Sequence, residues 1–301
     1  MILRKMIKEE KCTVMFSHIY SNVFPLTNFI CRYIYNSKLF WSLDLKKITK
    51  AVIPAAGFGT RVLPASKAIP KEMFPVGNKP AIQHLVEEAS KSGITDILII
   101  TSRGKESIEN HFDRSPELEE FLIKKNKMKE LDEIRKISNL ANIYFIRQEE
   151  QQGLGHAVSL SEKFIGDEPF AVLYGDDVIL SESPVTSQMI SLFYEFKKCV
   201  VGVQKVSEEE ISKYSTLKTE EIRDRVFKCT DMIEKPSRDQ IMSLYSVAGR
   251  CILTPNIFKI LKKTKIGFGG EIQLTDAMKH IALSETLIAY QFRGNRIDLG
   301  A

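Results

Sequence analysis

Residues 54–75, PAAGFGTRVLPASKAIPKEMFP, place two glycines, an arginine, two lysines and four prolines directly behind the apolar run Ala51-Val52-Ile53. Glycine lets backbone N–H groups approach a ligand closely, proline stiffens connections and cations neutralise an anion. Together they point to a phosphate-rich ligand. Spacing excludes two common phosphate loops. A dinucleotide fingerprint needs a third glycine where Val62 stands, and a P-loop needs Gly-Lys-Ser/Thr where the chain reads Val62-Leu63-Pro64. What remains is G-x-G-T-R, then nine residues, then Lys71 after Pro70. Two cations on a glycine loop can hold the oxygens of a triphosphate and of the pyrophosphate that leaves it.

Such a loop must be carried by a rigid frame. KAVIPAAG and TDILIITS read as buried strands, and between them Ile82, Leu85, Val86 and Ala89 follow the helical i, i+3, i+4, i+7 spacing up to a stop at Gly93. This is a β-α-β unit. Further strands are expected at 142–148, 169–177 and 199–204, then in VFKCTDMIEKP, YSVAGRCIL and LIAYQFRG. Helices are expected at about 116–137, 255–262 and 275–283. Alternating strands and helices predict an α/β fold with a mostly parallel sheet covered on both faces and binding loops at its strand ends.

The 301 residues, 44% hydrophobic and 27% charged, suit a globular protein with a sizeable core. The net charge of +5 lies entirely in residues 1–47, which hold eight Lys or Arg against three acids; the other 254 residues carry 35 of each. That balance argues against a nucleic-acid partner. Five scattered cysteines without a C-x-x-C pair argue against a disulfide framework or thiolate zinc site and fit a reducing, cytoplasmic setting. Residues 1–47 are aromatic-rich, but polar residues break every apolar run short of the roughly 18 residues needed to span a membrane. No stable membrane insertion is expected. Glu9 and Glu10 also spoil a secretory leader. We expect an atypical N-terminal extension over 1–47, with a membrane-surface or partner-binding role as the competing reading, and a single domain over 48–301.

AAGFGTR, KAIPKEM, GLGHA, YGDD, EKP, GGEIQLTDA and RGNRIDLG, in that order, resemble bacterial UTP-glucose-1-phosphate uridylyltransferase. This family belongs to the sugar-nucleotidyltransferase superfamily. The likeness runs from Ile48 to Gly300. G-x-G-T-R alone marks the broad superfamily; KEM, GLGHA and GGEIQLTDA are more specific. The resemblance implies a Rossmann-like three-layer α/β/α nucleotidyltransferase fold and a reaction in which glucose 1-phosphate takes the uridylyl group of UTP, giving UDP-glucose and pyrophosphate. It further implies that Ala56, Gly57 and Gly59 bring backbone groups to the nucleotide while Arg61 and Lys71 clamp its phosphates as the catalytic cations. Glu72 either seats the base or braces the loop, with a local ion pair to a nearby lysine as the competing reading. Gln148 reads the uracil edge, completed by the loop at Gly153, and His156 is structural because the reaction needs no proton shuttle. Asp176 and Asp298 are the expected Mg²⁺ carboxylates, with Asp177 assisting. Glu234, Lys235 and Gly249 serve the sugar phosphate, with Glu271 and Gln273 shaping the sugar side.

Two departures stand out. The family's Tyr-Gly after the central variable segment reads Tyr214-Ser215, in a region where STLKTEEIRDRVFKCT is hard to align. The chain also stops at Ala301, where the family continues into helices that help pair subunits; a homo-oligomer is expected only if that part is not required. Lost covering helices would leave apolar surface exposed. Three readings therefore stay open: an active uridylyltransferase, a relative using another nucleotide or sugar 1-phosphate, and an inactive paralogue that binds nucleotide or a partner.

Overall fold

In the computed structural model, which describes residues 46–300, strand β1 (Lys50–Pro54) lies inside a nine-stranded sheet. Its companions are β4 (Asp96–Thr101), β5 (Asn142–Arg147), β6 (Phe170–Leu173), β8 (Val200–Lys205), β9 (Ser215–Arg223), β10 (Val226–Glu234), β11 (Tyr245–Leu253) and β12 (Leu287–Gln291), in the order β5-β4-β1-β6-β11-β8-β12-β10-β9. Only β11 and β10 run against the other seven strands, so the sheet is mixed but mostly parallel. Two short ribbons stand apart: β2 (Pro75–Val76) with β3 (Lys79–Pro80), and β7 (Asp177–Leu180) with β13 (Asn295–Asp298). The aromatic segment expected as an N-terminal extension lies outside the described residues.

Strand alternation sorts the core into two halves. Ala51 and Ile53 face the helices Ala81–Lys91 and Val185–Phe196, whereas Val52 faces the helices Leu154–Ser159, Asn256–Leu261 and Leu274–Ser284. The α/β/α layering follows from that split. Helix Ala81–Lys91 buries the predicted Ile82, Leu85, Val86 and Ala89, and Gly93 ends its run at φ 86°.

Three boundaries differ from expectation. The stretch 116–137 is two helices, Pro116–Lys124 and Met128–Ile137, because Asn126 turns left-handed at φ 53°. The strand expected over 169–177 ends at Leu173, since Tyr174–Asp176 must turn to bring Gly175 against β1. The hard-to-align segment is a β9–β10 hairpin turned at Asp224-Arg225, with Arg225 at φ 62°.

Under the carboxyl ends of these strands sits a buried ion pair. Arg250 and Glu88 are 1% and 8% exposed, and Arg250 donates to both Glu88 carboxylate oxygens, through Nη2 at 2.7 Å and Nε at 3.1 and 3.2 Å. Thr186 adds its N–H and hydroxyl to Glu88 Oε1 at 3.0 and 2.7 Å. Arg250 Nη1 reaches the carbonyls of Asp177 and Gly249 at 2.9 and 3.0 Å, which ties the pair to the turn that carries Asp176. Burial pushes the Glu88 carboxyl up, but the Arg250 charge and the hydrogen bonds from Arg250 and Thr186 outweigh it, leaving Glu88 below its ordinary value of 4.5. A carboxyl depressed by folding stabilises the fold above its unfolded pKa, and that contribution is lost as the pH falls through the folded one. Glu88→Gln should cost about 3–5 kcal/mol at pH 7 by stranding Arg250. In thermal and denaturant unfolding, its gap from wild type should narrow as the pH falls below that ordinary value. A constant gap would mean that Glu88 is not charged in the fold.

Candidate active site

Directly after β1 the chain leaves the sheet. Ala55 still pairs with β4 through Ile100 O at 2.8 Å, and Ser102 Oγ holds Ala56 O at 2.9 Å, so the loop starts from a fixed point. Gly59 then takes φ 68° and its carbonyl accepts from Ser66 Oγ at 2.7 Å. This turn sends Arg61 and Lys71 back toward the strand ends. A cleft of about 300 Å³ opens there, lined by Ala56, Gly57, Arg61, Lys71, Glu72, Gln148, Gly153, Asp176, Glu234, Lys235 and Asp298 together with Asp177, Glu271 and Gln273. Residues from seven distant motifs thus converge on one wall-and-floor arrangement.

Two expected positions stand back from the cleft. Gly59 shapes the turn rather than the wall. Gly249, expected beside the sugar phosphate, is buried at φ 63°, and a Cβ there would lie 2.4 Å from Asp177 Oδ2. Its glycine is required by the close approach of β11 to the Asp177 side chain. Gly153 also has a packing reason: at φ 101°, a Cβ would lie 2.7 Å from Glu271 Cβ and 2.8 Å from Ile272 O. Backbone bonds from Gly155 N to Ile272 O and from Ile272 N to Gln152 O, both 2.8 Å, join the GLGHA and GGEIQLTDA segments.

Charge is tightly organised. Lys71 Nζ donates to Asp176 Oδ2 at 2.5 Å. Arg296 binds both Asp177 oxygens, at 2.6 and 3.0 Å, and Asp298 Oδ2 at 3.0 Å; the Tyr214 hydroxyl also donates to Asp298 Oδ2 at 3.0 Å. Burial pushes Asp177 up to about 6, against the pull of Arg296 and with help from Asp176 and Asp298. Burial acts the same way on Asp176, but there the Lys71 charge and hydrogen bond win and hold the carboxyl below its ordinary range. Three aspartates thus share two cations, Lys71 and Arg296. Arg61 is exposed and donates from Nη1 to Gly300 O at 2.7 Å.

The two expected metal carboxylates flank Gly300, whose missing Cβ would lie 2.8 Å from Asp176 Oδ2 and 3.2 Å from Asp298 Oδ1. Among the described residues, no group of three or more His, Cys, Asp or Glu side chains is placed to hold a metal unaided. Two carboxylates carrying excess negative charge fit Mg²⁺, which typically takes one or two protein carboxylates and completes its shell with phosphate oxygens and water.

Among the residues expected to serve the sugar phosphate, Glu234 accepts at Oε2 from Thr275 Oγ1 at 2.8 Å, and burial raises the Glu234 carboxyl. Lys235 sits at φ 45° with Nζ 4.8 Å from the Phe268 ring centroid. Ser215, where the resembled family has glycine, opens β9; its Oγ accepts from Val247 N at 3.1 Å, tying the residue to β11.

Sequence reasoning missed several residues: Lys213, Thr275 and Arg296 on the cleft, and Lys105 behind it. Lys105 Nζ donates to both Glu72 oxygens, at 2.9 and 2.8 Å, and to Ala55 O at 2.5 Å. The Glu72 carboxylate, 1% exposed, is committed to an ion pair with Lys105. Burial pushes Glu72 up and Lys105 down, so each needs the other. The only signal for Lys105 was a cation just after the buried strand TDILIIT. Glu72→Gln should destabilise the fold by about 3–5 kcal/mol, and Glu72→Gln with Lys105→Met should recover most of that. Additive losses in denaturant unfolding would show that the two residues do not depend on one another.

The nucleotidyl transferase family matches residues 50–301. UTP–glucose-1-phosphate uridylyltransferase YngB of Bacillus subtilis (strain 168) is 52% identical over 255 residues, covering 85% of this chain and 86% of its own. A second UTP–glucose-1-phosphate uridylyltransferase from the same organism is 46% identical over 256 residues, covering 85% and 88%. Among solved structures, a UDP-glucose pyrophosphorylase complexed with UDP-glucose superposes with TM-score 0.78 at 43% identity over 85% of this chain and 94% of its own. The UTP-bound enzyme from Acinetobacter baumannii gives TM-score 0.78 at 37% identity, covering 85% and 90%. With the fold, the cleft and the order of motifs in agreement, the chain belongs to the nucleotidyl transferase family and, within it, to the UTP–glucose-1-phosphate uridylyltransferases.

Proposed function

We propose that this chain transfers the uridylyl group of UTP to glucose 1-phosphate. A phosphate oxygen of the sugar attacks the α-phosphorus in line, the bond to the β-phosphate oxygen breaks, and UDP-glucose and pyrophosphate leave. The observation that carries this reading is the convergence of Arg61, Lys71, Asp176, Lys235 and Asp298 on one cleft, in a chain whose relatives bear that activity in their names.

The reacting groups are both anions, so the protein's work is to align them and offset their repulsion. Lys71, held now by Asp176, exchanges that carboxylate for phosphate oxygens, and Arg61 joins it from the glycine loop. No proton need move, which agrees with a cleft whose titratable groups are mostly paired. Gln148 and the Gly153 loop receive the base. Glu234 receives glucose hydroxyls, and Lys235 the sugar phosphate. Asp176 and Asp298 would hold Mg²⁺, which, when bound, supplies positive charge to the triphosphate oxygens. We place the reaction in the cytoplasm; among the described residues no helix is long and apolar enough to cross a membrane.

Purified protein with UTP, Mg²⁺ and glucose 1-phosphate should release pyrophosphate only when the sugar phosphate is present, and Asp176→Asn should lose on the order of 10²-fold to 10³-fold in rate. UTP binding without turnover, by folded protein, would overturn the assignment. Turnover with another nucleotide or sugar phosphate in preference would change the substrate. Lys235→Ala should raise KM for glucose 1-phosphate far more than KM for UTP, and equal effects would remove its assigned role.

A further inference from the structure

Gln148 is 4% exposed and its backbone N–H is pinned to Thr101 O at 2.8 Å, so the side chain enters the cleft from a fixed point at the end of β5. An amide presents a donor end and an acceptor end, and which end faces the ligand decides which base it can read. Two neighbours settle that orientation. Gly153 O, which can only accept, lies 3.3 Å from the amide nitrogen, and His156 Nδ1 lies 2.8 Å from the same atom. A carbonyl requires an N–H opposite it, so the NH₂ end is the one committed to Gly153. His156 Nδ1 must then accept the other N–H, which places the imidazole proton on Nε2. Both amide hydrogens are used, and Oε1 is the end left for a ligand.

We propose that His156 is a positioning residue that sets nucleotide choice. By holding the Gln148 amide nitrogen, it turns Oε1 toward the base as an acceptor for a ring N–H. Uracil offers that donor at N3, whereas cytosine has a lone pair there and would meet lone pair with lone pair. The inference rests on the uridylyl reading above and adds to it the residue responsible for rejecting a cytosine nucleotide. His156 is not among the residues lining the cleft, so its proposed action runs through Gln148. Helix Leu154–Ser159 holds it in place, anchored by the Gly155 N to Ile272 O bond and by Ser159 Oγ on His156 O at 2.7 Å.

The test compares kcat/KM for UTP and CTP in wild type, His156→Leu and His156→Asn, where the Asn side-chain oxygen can replace Nδ1 as the acceptor. His156→Leu should reduce the UTP-to-CTP ratio by about tenfold or more, because a site built around one hydrogen bond discriminates only while its geometry holds. The loss should fall on KM for UTP, with KM for glucose 1-phosphate near wild type, and His156→Asn should restore most of the ratio. A folded His156→Leu variant with the wild-type ratio, or equal losses toward both nucleotides in the two variants, would overturn the inference. Should His156→Leu not fold, binding of 3-methyluridine triphosphate to wild type decides: weakening of about tenfold or more relative to UTP supports an Oε1 that receives N3–H, and equal binding overturns it. Absence of any UTP binding by wild type would remove the uridylyl reading and this inference with it, whereas UTP turnover with unchanged discrimination would remove this inference alone.

Discussion

Everything at the cleft depends on the buried charge beneath it. Arg250 cannot be where it is without Glu88, and Glu88 is fully satisfied only with Thr186 in place. Such a pair gives little net stability, because desolvation consumes most of its attraction, but a missing partner would be costly. What the pair does provide is position. Its remaining donor clamps the carbonyls of Asp177 and Gly249, and so fixes the turn from which Asp176 and Asp177 project. Arg296 then extends the same chain of charges from Asp177 to Asp298. A polar column thus runs from beneath the sheet ends to the proposed metal carboxylates, with each member held by the one below.

Backbone contact does the remaining assembly, and it explains why glycine recurs in the motifs. A Cβ on Gly175 would lie 2.6 Å from Pro54 O, so the aspartate turn can sit on the end of β1 only with glycine there. Gly153 and Gly155 let one loop lie flat against residues 271–273, and Gly249 makes room for Asp177. These glycines act on the protein rather than on the ligand. Gly57, where a Cβ would meet nothing within 4 Å, is open and exposed on the cleft wall.

This division accounts for what the sequence could and could not disclose. Eight of the nine strands of the main sheet, all but β9, and the Ala81–Lys91 helix were legible because apolar periodicity is set by burial, and the cation-bearing loop stood out because glycines, prolines and cations cluster in it. Asp176 was singled out only through the resemblance, and the structure places it on the cleft. Lys105 and Arg296 were not found, because a side chain that pairs 33 or 119 residues away leaves no local pattern. Gly249 was placed on the ligand because a motif glycine reads alike whether it admits a substrate or a neighbouring carboxylate. The split at Asn126 and the turn at Arg225 are left-handed positions occupied by residues other than glycine, so the usual punctuation was missing.

The charge count at the cleft links the scaffold to the chemistry. Asp176, Asp177 and Asp298 face Lys71 and Arg296, which leaves one negative charge in excess in a region where burial already drives Asp177 up to about 6. A triphosphate brought to this point adds further negative charge, so aspartates alone would repel it. Arg61 and Lys235 stand at the rim, and neither is paired with a carboxylate among the described residues. On the proposed reading they offset the incoming phosphates, and a divalent cation held by Asp176 and Asp298 would add positive charge to the floor. On the proposed reading, the aspartates of the floor are suited to a substrate that arrives with its metal. On that reading, the charge of the floor bears on the metal that accompanies the nucleotide, as the proposed orientation of one amide bears on the base.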